Sequence, residues 1–223
     1  LDADSTSNRG SMSEYIEKFS NGEYDIMLGT QMVAKGLNFP NVTVVGVIGS
    51  DSAMNSVDYR SFERSFSLLT QVLGRAGRGD FAGTAVLQTN EPSSKLIELA
   101  AKQDYDAFFN DEIMSRKMLV YPPYCDLVAV YVQSESQKDG INTAKEVFNN
   151  IKSLIGNKYQ NIKIIILGPS ASTVPKIKNR YRFMLLIKVK NNRDFRNMLR
   201  EAINVKTNKS TNITVDINPE TIL

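Results

Sequence analysis

Residues 127–217 constrain the fold more than any other stretch, because apolar periodicity there switches in a fixed order between that of strands and that of helices. Residues 127–132, 162–167, 181–189 and 213–217 are short runs rich in β-branched and other apolar residues, and each reads as a strand. Between the first two, Ile141, Ala144, Val147, Phe148, Ile151, Leu154 and Ile155 fall on one face of a helix. Between the last two, Phe195, Met198, Leu199, Ala202 and Ile203 do the same. The order β-α-β-β-α-β is that of a split βαβ unit, so an α+β, ferredoxin-like domain is expected.

The preceding residues read as a different α/β unit. Residues 42–48 are a near-continuous β-branched run of the kind buried on both faces of a parallel sheet. Shorter strands are expected at 25–28, ending at Gly29, and at 84–88, and residues 1–4 look like the end of another. Helices are expected over 60–73, 95–102 and 105–118. An earlier one has Met12, Tyr15, Ile16 and Phe19 on one face and Ser11 and Glu14 at capping-box spacing. In the helix at 105–118, Tyr105, Phe108, Phe109 and Ile113 are expected inward. Tyr121-Pro122-Pro123 should end it, because proline cannot continue a helix and restricts the residue before it. A domain boundary is placed within 104–123, dividing the chain into 1–110 and 111–223.

Charge supports that division. Residues 1–110 carry nine basic against fourteen acidic side chains, and residues 111–223 carry eighteen against ten. The formal net charge of +3 therefore conceals an acidic half and a basic half with different partners. Composition removes several chemistries. The sequence has no histidine, which excludes a His-based triad and any His-ligated metal. Its one cysteine, Cys125, cannot form an internal disulfide and reads as a small buried hydrophobe. No run approaches the ~18 apolar residues of a membrane helix. The first residues lack a basic and an apolar signal region, and the leucine at position 1 suggests a fragment.

Two segments could carry chemistry. Gln71-Val72-Leu73-Gly74-Arg75-Ala76-Gly77-Arg78 places two arginines three residues apart at the end of a predicted helix. Guanidinium groups stay ionised and can each bind two phosphoryl oxygens, while the glycines allow close backbone approach. Gly29-Thr30-Gln31-Met32-Val33-Ala34-Lys35-Gly36-Leu37-Asn38-Phe39-Pro40 follows a predicted strand, where ligands of α/β sheets bind. Each segment also has a plain structural reading, as a Gly-rich loop with solvated arginines and as a strand-to-helix connection.

In this order the two segments resemble motifs V and VI of superfamily 2 helicases. The similarity extends to Asp2-Ala3-Asp4-Ser5-Thr6, Asp58-Tyr59-Arg60-Ser61-Phe62-Glu63-Arg64, Tyr121-Pro122-Pro123, Gly168-Pro169-Ser170, Tyr181-Arg182 and Asp216-Ile217-Asn218-Pro219. Together these look like the primosomal protein N′ family of bacterial replication-restart DNA helicases. The resemblance implies an ATP-dependent 3′-to-5′ helicase acting at stalled or recombined forks. Residues 1–110 would be the C-terminal part of the second RecA-like lobe, and 111–223 a basic C-terminal domain. It assigns Arg75 and Arg78 as arginine fingers, Gln71 to the nucleotide side and Gly36 and Asn38 to the ATP ribose. Thr30 and Gln31 become DNA contacts. The pattern departs from the family at Asn38, where aspartate is frequent, at Leu37, where histidine is frequent, and at Val57, where proline is usual.

The sequence contains no Gly-x-x-x-x-Gly-Lys-[Ser/Thr] phosphate loop, and nothing in it reads as the Asp-Glu box that holds Mg²⁺. By resemblance, ATP, Mg²⁺ and a cysteine-bound zinc belong to the full-length protein, with the Mg²⁺ and zinc ligands upstream of Leu1. The chain alone is expected to lack ATPase activity and structural zinc. The same resemblance implies forked and single-stranded DNA, single-strand-binding protein and primosome proteins as partners. It also implies a monomer, no membrane, and a bacterial cytoplasmic, nucleoid-associated location. Two alternatives stay open: a non-catalytic nucleic-acid-binding and docking fragment, and a structural α/β domain whose arginines meet only solvent.

The basic half carries its own signal. Lys176, Lys178, Arg180, Arg182, Lys188, Lys190, Arg193, Arg196 and Arg200 are accompanied within 25 residues by one acid, Asp194. Strand alternation puts Tyr181, Phe183, Leu185, Ile187 and Val189 on one face and Arg180, Arg182, Met184, Leu186, Lys188 and Lys190 on the other. The aromatic face should meet the helices and the basic face should point outward. Lys176, Arg180 and Arg182 are therefore expected to contact DNA phosphates, with base stacking disfavoured because the strand's aromatics face inward. A solvated face that only keeps the domain soluble is the competing reading.

Overall fold

The computed structural model describes residues 11–30, 39, 41–51, 58–74, 76 and 83–222. The chain divides into two compact units, Leu1–Ser56 with Arg60–Glu112, and Val57–Tyr59 with Ile113–Leu223.

In the first unit, two short strands, β1 (Val44–Val47) and β2 (Thr84–Leu87), pair in parallel with Val44 opposite Thr84 and Val47 opposite Leu87. Helix α1 (Ser11–Ser20) precedes them, α2 (Ser61–Leu73) lies between them in sequence, and α3 (Lys95–Ala101) follows. Helix α4 (Tyr105–Leu119) carries the division between the units at Glu112 and Ile113. The face of α2 bearing Ser61, Ser65, Phe66 and Leu69 is buried. It meets Leu96, Leu99 and Ala100 of α3 and Phe108 of α4, with Val47 and Leu87 of the strands at the margin. Phe66 and Phe108 stack with ring centroids 4.1 Å apart. Burying each such ring contributes roughly 1.5–3 kcal/mol.

Several expectations for this unit are corrected. Residues 25–28 form no strand, and Ile26 and Leu28 are exposed. β1 is shorter than the apolar run that contains it and is not buried on both faces: Val44 is 64% and Ile48 81% exposed. Two-sided burial needs layers on both sides of a sheet, and hydrophobicity does not supply them. On α4 only Phe108 is buried, while Tyr105 and Phe109 face solvent. Glu14 pairs with Lys18 at 2.7 Å, an i,i+4 ion pair on α1.

The second unit is a four-stranded antiparallel sheet in the order β4-β5-β3-β6. Its strands are β3 (Asp126–Ser134), β4 (Ile164–Ile177), β5 (Arg180–Val189) and β6 (Thr211–Ile217). Helix α5 (Gln137–Asn157) connects β3 to β4 and α6 (Arg193–Ala202) connects β5 to β6. Insertion of β5 between β3 and β4 is the split βαβ arrangement anticipated above. Both helices are capped at their N-termini: Ser136 Oγ accepts from Asp139 N at 3.2 Å, and Asn192 Oδ1 accepts from Phe195 N at 2.9 Å. Ala144, Val147 and Ile151 of α5 and Phe195, Met198, Leu199 and Ala202 of α6 cover one sheet face. They pack on Val128, Val130, Val132, Phe183, Leu185, Ile187 and Val189.

β4 runs ten residues past its expected end. Gly168, Pro169 and Pro175 resemble strand breakers, but β4 is an edge strand whose pairing with β5 shifts register between Leu167 and Ser170 and again between Ala171 and Lys176. Both prolines fall in those shifts, where no ladder hydrogen bond is lost.

The end of α4 is also built differently. Val120, at φ +53, takes the left-handed position, with Tyr121 N donating to Arg116 O at 2.8 Å. This closes the helix before the prolines are reached.

Candidate functional site

In the first unit, the arginine-bearing segment is approached through α2. Gln71 lies on the last turn of that helix, and its Nε2 donates to Ser67 Oγ at 3.0 Å. The helix ends at Gly74, whose N–H donates to Thr70 O at 3.0 Å, immediately before Arg75. Arg75, Arg78, Gly36, Asn38 and Gln31 lie outside the described residues. Thr30 is exposed and belongs to no helix or strand.

At the carboxyl ends of β1 and β2, where α/β sheets receive ligands, a polar clasp joins the strands. Ser50 Oγ donates to Gln88 O at 2.9 Å. Asp51 accepts from Thr89 Oγ1 at 2.6 Å and from both the backbone N–H and the side-chain amide of Asn90 at 2.9 Å. The Thr89 hydroxyl, then the Asn90 N–H, hold the Asp51 carboxyl below the ordinary aspartate range. Sequence reading did not find this clasp, because its halves are far apart in the chain and meet only through the β1–β2 register.

No group of three or more acids, cysteines or histidines able to hold a cation occurs among the described residues. The Asp111-Glu112 pair lies within α4, where Asp111 forms an ion pair with Lys95.

In the second unit, the face of the sheet turned away from the helices is only partly open. Leu127, Ala129 and Leu186 are covered there by Tyr121, Cys125 and Ile222. Lys188, expected outward, is buried under this cover at 7% exposure. Its ammonium donates to Leu119 O at the end of α4 at 2.6 Å and sits 3.5 Å from the Tyr121 ring centroid. The carbonyl end of the helix dipole and the aromatic ring thus replace water around it. Burial nevertheless lowers the Lys188 pKa. Tyr121 stacks on Tyr59 at 5.1 Å, and Arg116 lies 5.2 Å over the other ring. Cys125 joins the margin of the same cluster, its Sγ donating to Val120 O at 3.2 Å, with its pKa raised by burial.

Asp126 fastens the start of β3. It accepts from Asn191 N at 2.9 Å and Asn218 Nδ2 at 3.0 Å, while Asn218 Oδ1 accepts from Leu127 N at 3.0 Å. The Asn191 N–H, then the Asn218 amide, lower the Asp126 pKa.

The other end of the outer face holds the expected DNA contacts, and the structure separates them. Lys176 lies opposite Tyr181, its Nζ 4.6 Å over that ring, on the helix-side face. Arg180 and Arg182 point to the outer face by alternation. Arg180 approaches Glu135 at 3.5 Å. Lys178 and Asn179, at φ +47 and +62, form the tight turn of the β4–β5 hairpin. The aromatics of β5 itself, Tyr181 and Phe183, face the helices as expected, but pairing brings an aromatic from another strand to the outer face. Tyr131 of β3 is on that face, directly across from Met184 and diagonal to Arg182. Burial raises the Tyr131 pKa, with Asp216 adding to the rise and Arg182 opposing it.

The comparisons with known proteins match both units. The model for the helicase conserved C-terminal domain matches residues 3–80, and that for the primosomal protein N C-terminal domain matches 117–220. The replication restart protein PriA of Bacillus subtilis is 39% identical over 223 residues, covering 98% of this chain and 27% of the relative. The proteins of the same name from Synechocystis and Chlamydia trachomatis are 36% and 33% identical. These alignments cover 84% and 99% of the chain, and 22% and 29% of the relatives. The chain thus spans less than a third of the length of these curated relatives.

Proposed function

The chain belongs to the PriA-like superfamily 2 helicases, and from that premise we propose that it forms part of an ATP-dependent 3′-to-5′ DNA helicase that restarts replication at stalled or recombined forks. The reading takes the first unit as the C-terminal part of the second RecA-like lobe. Arg75 and Arg78 stabilise charge on the transferred phosphoryl group, Gln71 faces the nucleotide, and Gly36 and Asn38 meet the ribose. Thr30 and Gln31 contact DNA. The phosphate loop and the Mg²⁺ ligands would come from a part of the protein beyond this sequence, as would the cysteines for zinc.

The observation that carries the reading is α2. Its buried stripe is anchored to α3 and α4, and its last turn presents Gln71 and then ends at Gly74, immediately before Arg75. A rigid helix terminus fixes the start of a loop that has to meet a phosphate across an interface.

The second unit would supply DNA contacts through Arg180 and Arg182, with Lys176 on the neighbouring face of the same hairpin. By resemblance, forked and single-stranded DNA, single-strand-binding protein and primosome proteins are the partners of the full protein. The full protein would act as a monomer in the bacterial cytoplasm. No helix among the described residues is long and apolar enough to cross a membrane.

The test is Arg78→Ala in the full-length protein. ATP turnover should fall by about 10³–10⁵, the range for arginine fingers, while ATP and DNA binding persist. Turnover that survived this change would overturn the assignment. DNA-stimulated hydrolysis by the 223-residue chain alone would also overturn the placement of the phosphate loop elsewhere.

A further inference from the structure

We propose that Tyr131 is a stacking platform for one unpaired base of a single-stranded nucleic acid, whose backbone follows Arg182 and Arg180 along β5. This rests on the reading of the second unit as DNA-contacting and gives that face a specific ligand, a single strand rather than a duplex.

Three observations converge. First, Val128, Val130 and Val132 of β3 are buried in the helix-side core, so Ala129, Tyr131 and Gln133 must point the other way. Second, the cover over that outer face is incomplete. It buries Leu127, Ala129 and Leu186, while Tyr131 and Met184, packed at the margin of that cluster, and Gln133 and Arg182 beyond it remain partly exposed. Third, the register surrounds Tyr131 with groups a nucleotide can use. Met184 is directly opposite on β5, Thr214 directly opposite on β6, and Arg182 lies opposite Gln133, one diagonal step away.

The charges select the path of the strand. Arg182 and Arg180 line the β5 side, with Lys178 exposed at the hairpin turn. Two acids also lie near. Glu135 approaches Arg180 at 3.5 Å, and Asp216 stands on β6 opposite Ala129. Asp216 repels phosphate from the β6 side, so the backbone is held to β5 while the base lies over β3. A base in a duplex has both of its faces covered by its neighbours. A flat sheet surface with a central aromatic can therefore stack only a base that is unpaired and splayed out. Tyr121 and Tyr59 on this face are taken up by their own stack, so Tyr131, the one aromatic that the strands themselves place there, means one stacked base, and the arginines make the remaining contacts ionic and independent of sequence.

The experiment titrates the 223-residue chain with a labelled oligothymidylate of about ten nucleotides, a length typical of one such sheet, at several salt concentrations. Tyr131→Ala should weaken binding about 5- to 150-fold and leave the salt dependence unchanged, because stacking releases no counterions. Tyr131→Phe should bind as the unsubstituted chain does. Arg182→Ala should instead reduce the magnitude of the log–log salt slope by about 0.7. An abasic oligonucleotide should lose the same factor with the unsubstituted chain and nothing further with Tyr131→Ala. Tyr131→Leu, which keeps apolar bulk without a ring, should behave as the alanine variant does and guards against a folding defect. If folded Tyr131→Ala and Tyr131→Leu bind with full affinity while Arg180→Ala/Arg182→Ala is weakened, stacking is refuted and phosphate contact stands. Duplex binding that depends equally on Tyr131 refutes the single-strand assignment. Full affinity in all variants refutes the DNA-contacting face itself.

Discussion

Gly140 provides a sharp test of the packing beneath the proposed interface. It lies in the first turn of α5, and a Cβ added there would stand 2.7 and 2.9 Å from two ring carbons of Phe183 and 3.3 Å from Ser134 Cβ. Phe183 is held on β5 within the core, and Ser134 is fully buried, so neither can yield without moving the sheet. Overpacking of this kind costs about 1–3 kcal/mol. A glycine-to-alanine change in an unobstructed helix interior gains about 1 kcal/mol, and that gain offsets part of the cost. The net effect of Gly140→Ala on the second unit should therefore be a destabilisation of up to about 2 kcal/mol. Each kcal/mol lowers the midpoint of a ~100-residue domain by roughly 4–8 °C. The chain has no tryptophan, so the measurement is urea and thermal denaturation followed by circular dichroism. Phe183→Leu in the same background makes room for the methyl group, and the double variant should be more stable than the two single losses predict by at least ~0.5 kcal/mol. A raised midpoint for Gly140→Ala, as helix propensity alone would give, would refute the close approach of α5 to Phe183.

Two further outcomes concern pH. The Asp126 carboxyl is held below its ordinary range by Asn191 and Asn218, so its contribution is complete above the unfolded value of about 3.9 and is lost as pH falls through the lower folded value. Asp126→Ala should cost about 1–2 kcal/mol at neutral pH. The gap from the unsubstituted chain should close in acid, and a gap that persists at the lowest accessible pH would contradict the bonding. Lys188 behaves oppositely. Burial lowers its folded pKa, so the unfolded chain binds more protons between that value and about 10.4, and stability rises with pH across the window. Denaturant midpoints measured up to pH ~10.4 should show this rise, and Lys188→Met should flatten it. An identical pH slope in both proteins would mean that Lys188 is not desolvated.

What was legible in the sequence was whatever depends on local periodicity. The seam of α5 through Ala144, Val147 and Ile151, the face of α6 around Phe195 and Met198, and the alternation of β5 all follow from where side chains point along one element. Motif spacing likewise located Gln71 at the end of a helix, because a buried stripe and a following glycine are local signals. The extent of β4 was not legible. Whether Pro169 and Pro175 break a strand depends on whether it lies at an edge, and edge position is a property of the assembled sheet.

The sequence alone determined the order of elements in the second unit, the family resemblance and the concentration of positive charge in the second half. Only the tertiary structure decided which of those charges share a surface. Alternation states the two faces of each strand, but register decides whose side chain lies beside them. It set Lys176 against Tyr181, away from the outer face of Arg180 and Arg182, and brought Tyr131 from another strand to within a diagonal step of Arg182. It also placed Lys188 beneath Tyr121 and against the last turn of α4. There the burial of a charge depends on a helix terminus distant in sequence, and no local pattern in β5 encodes that contact.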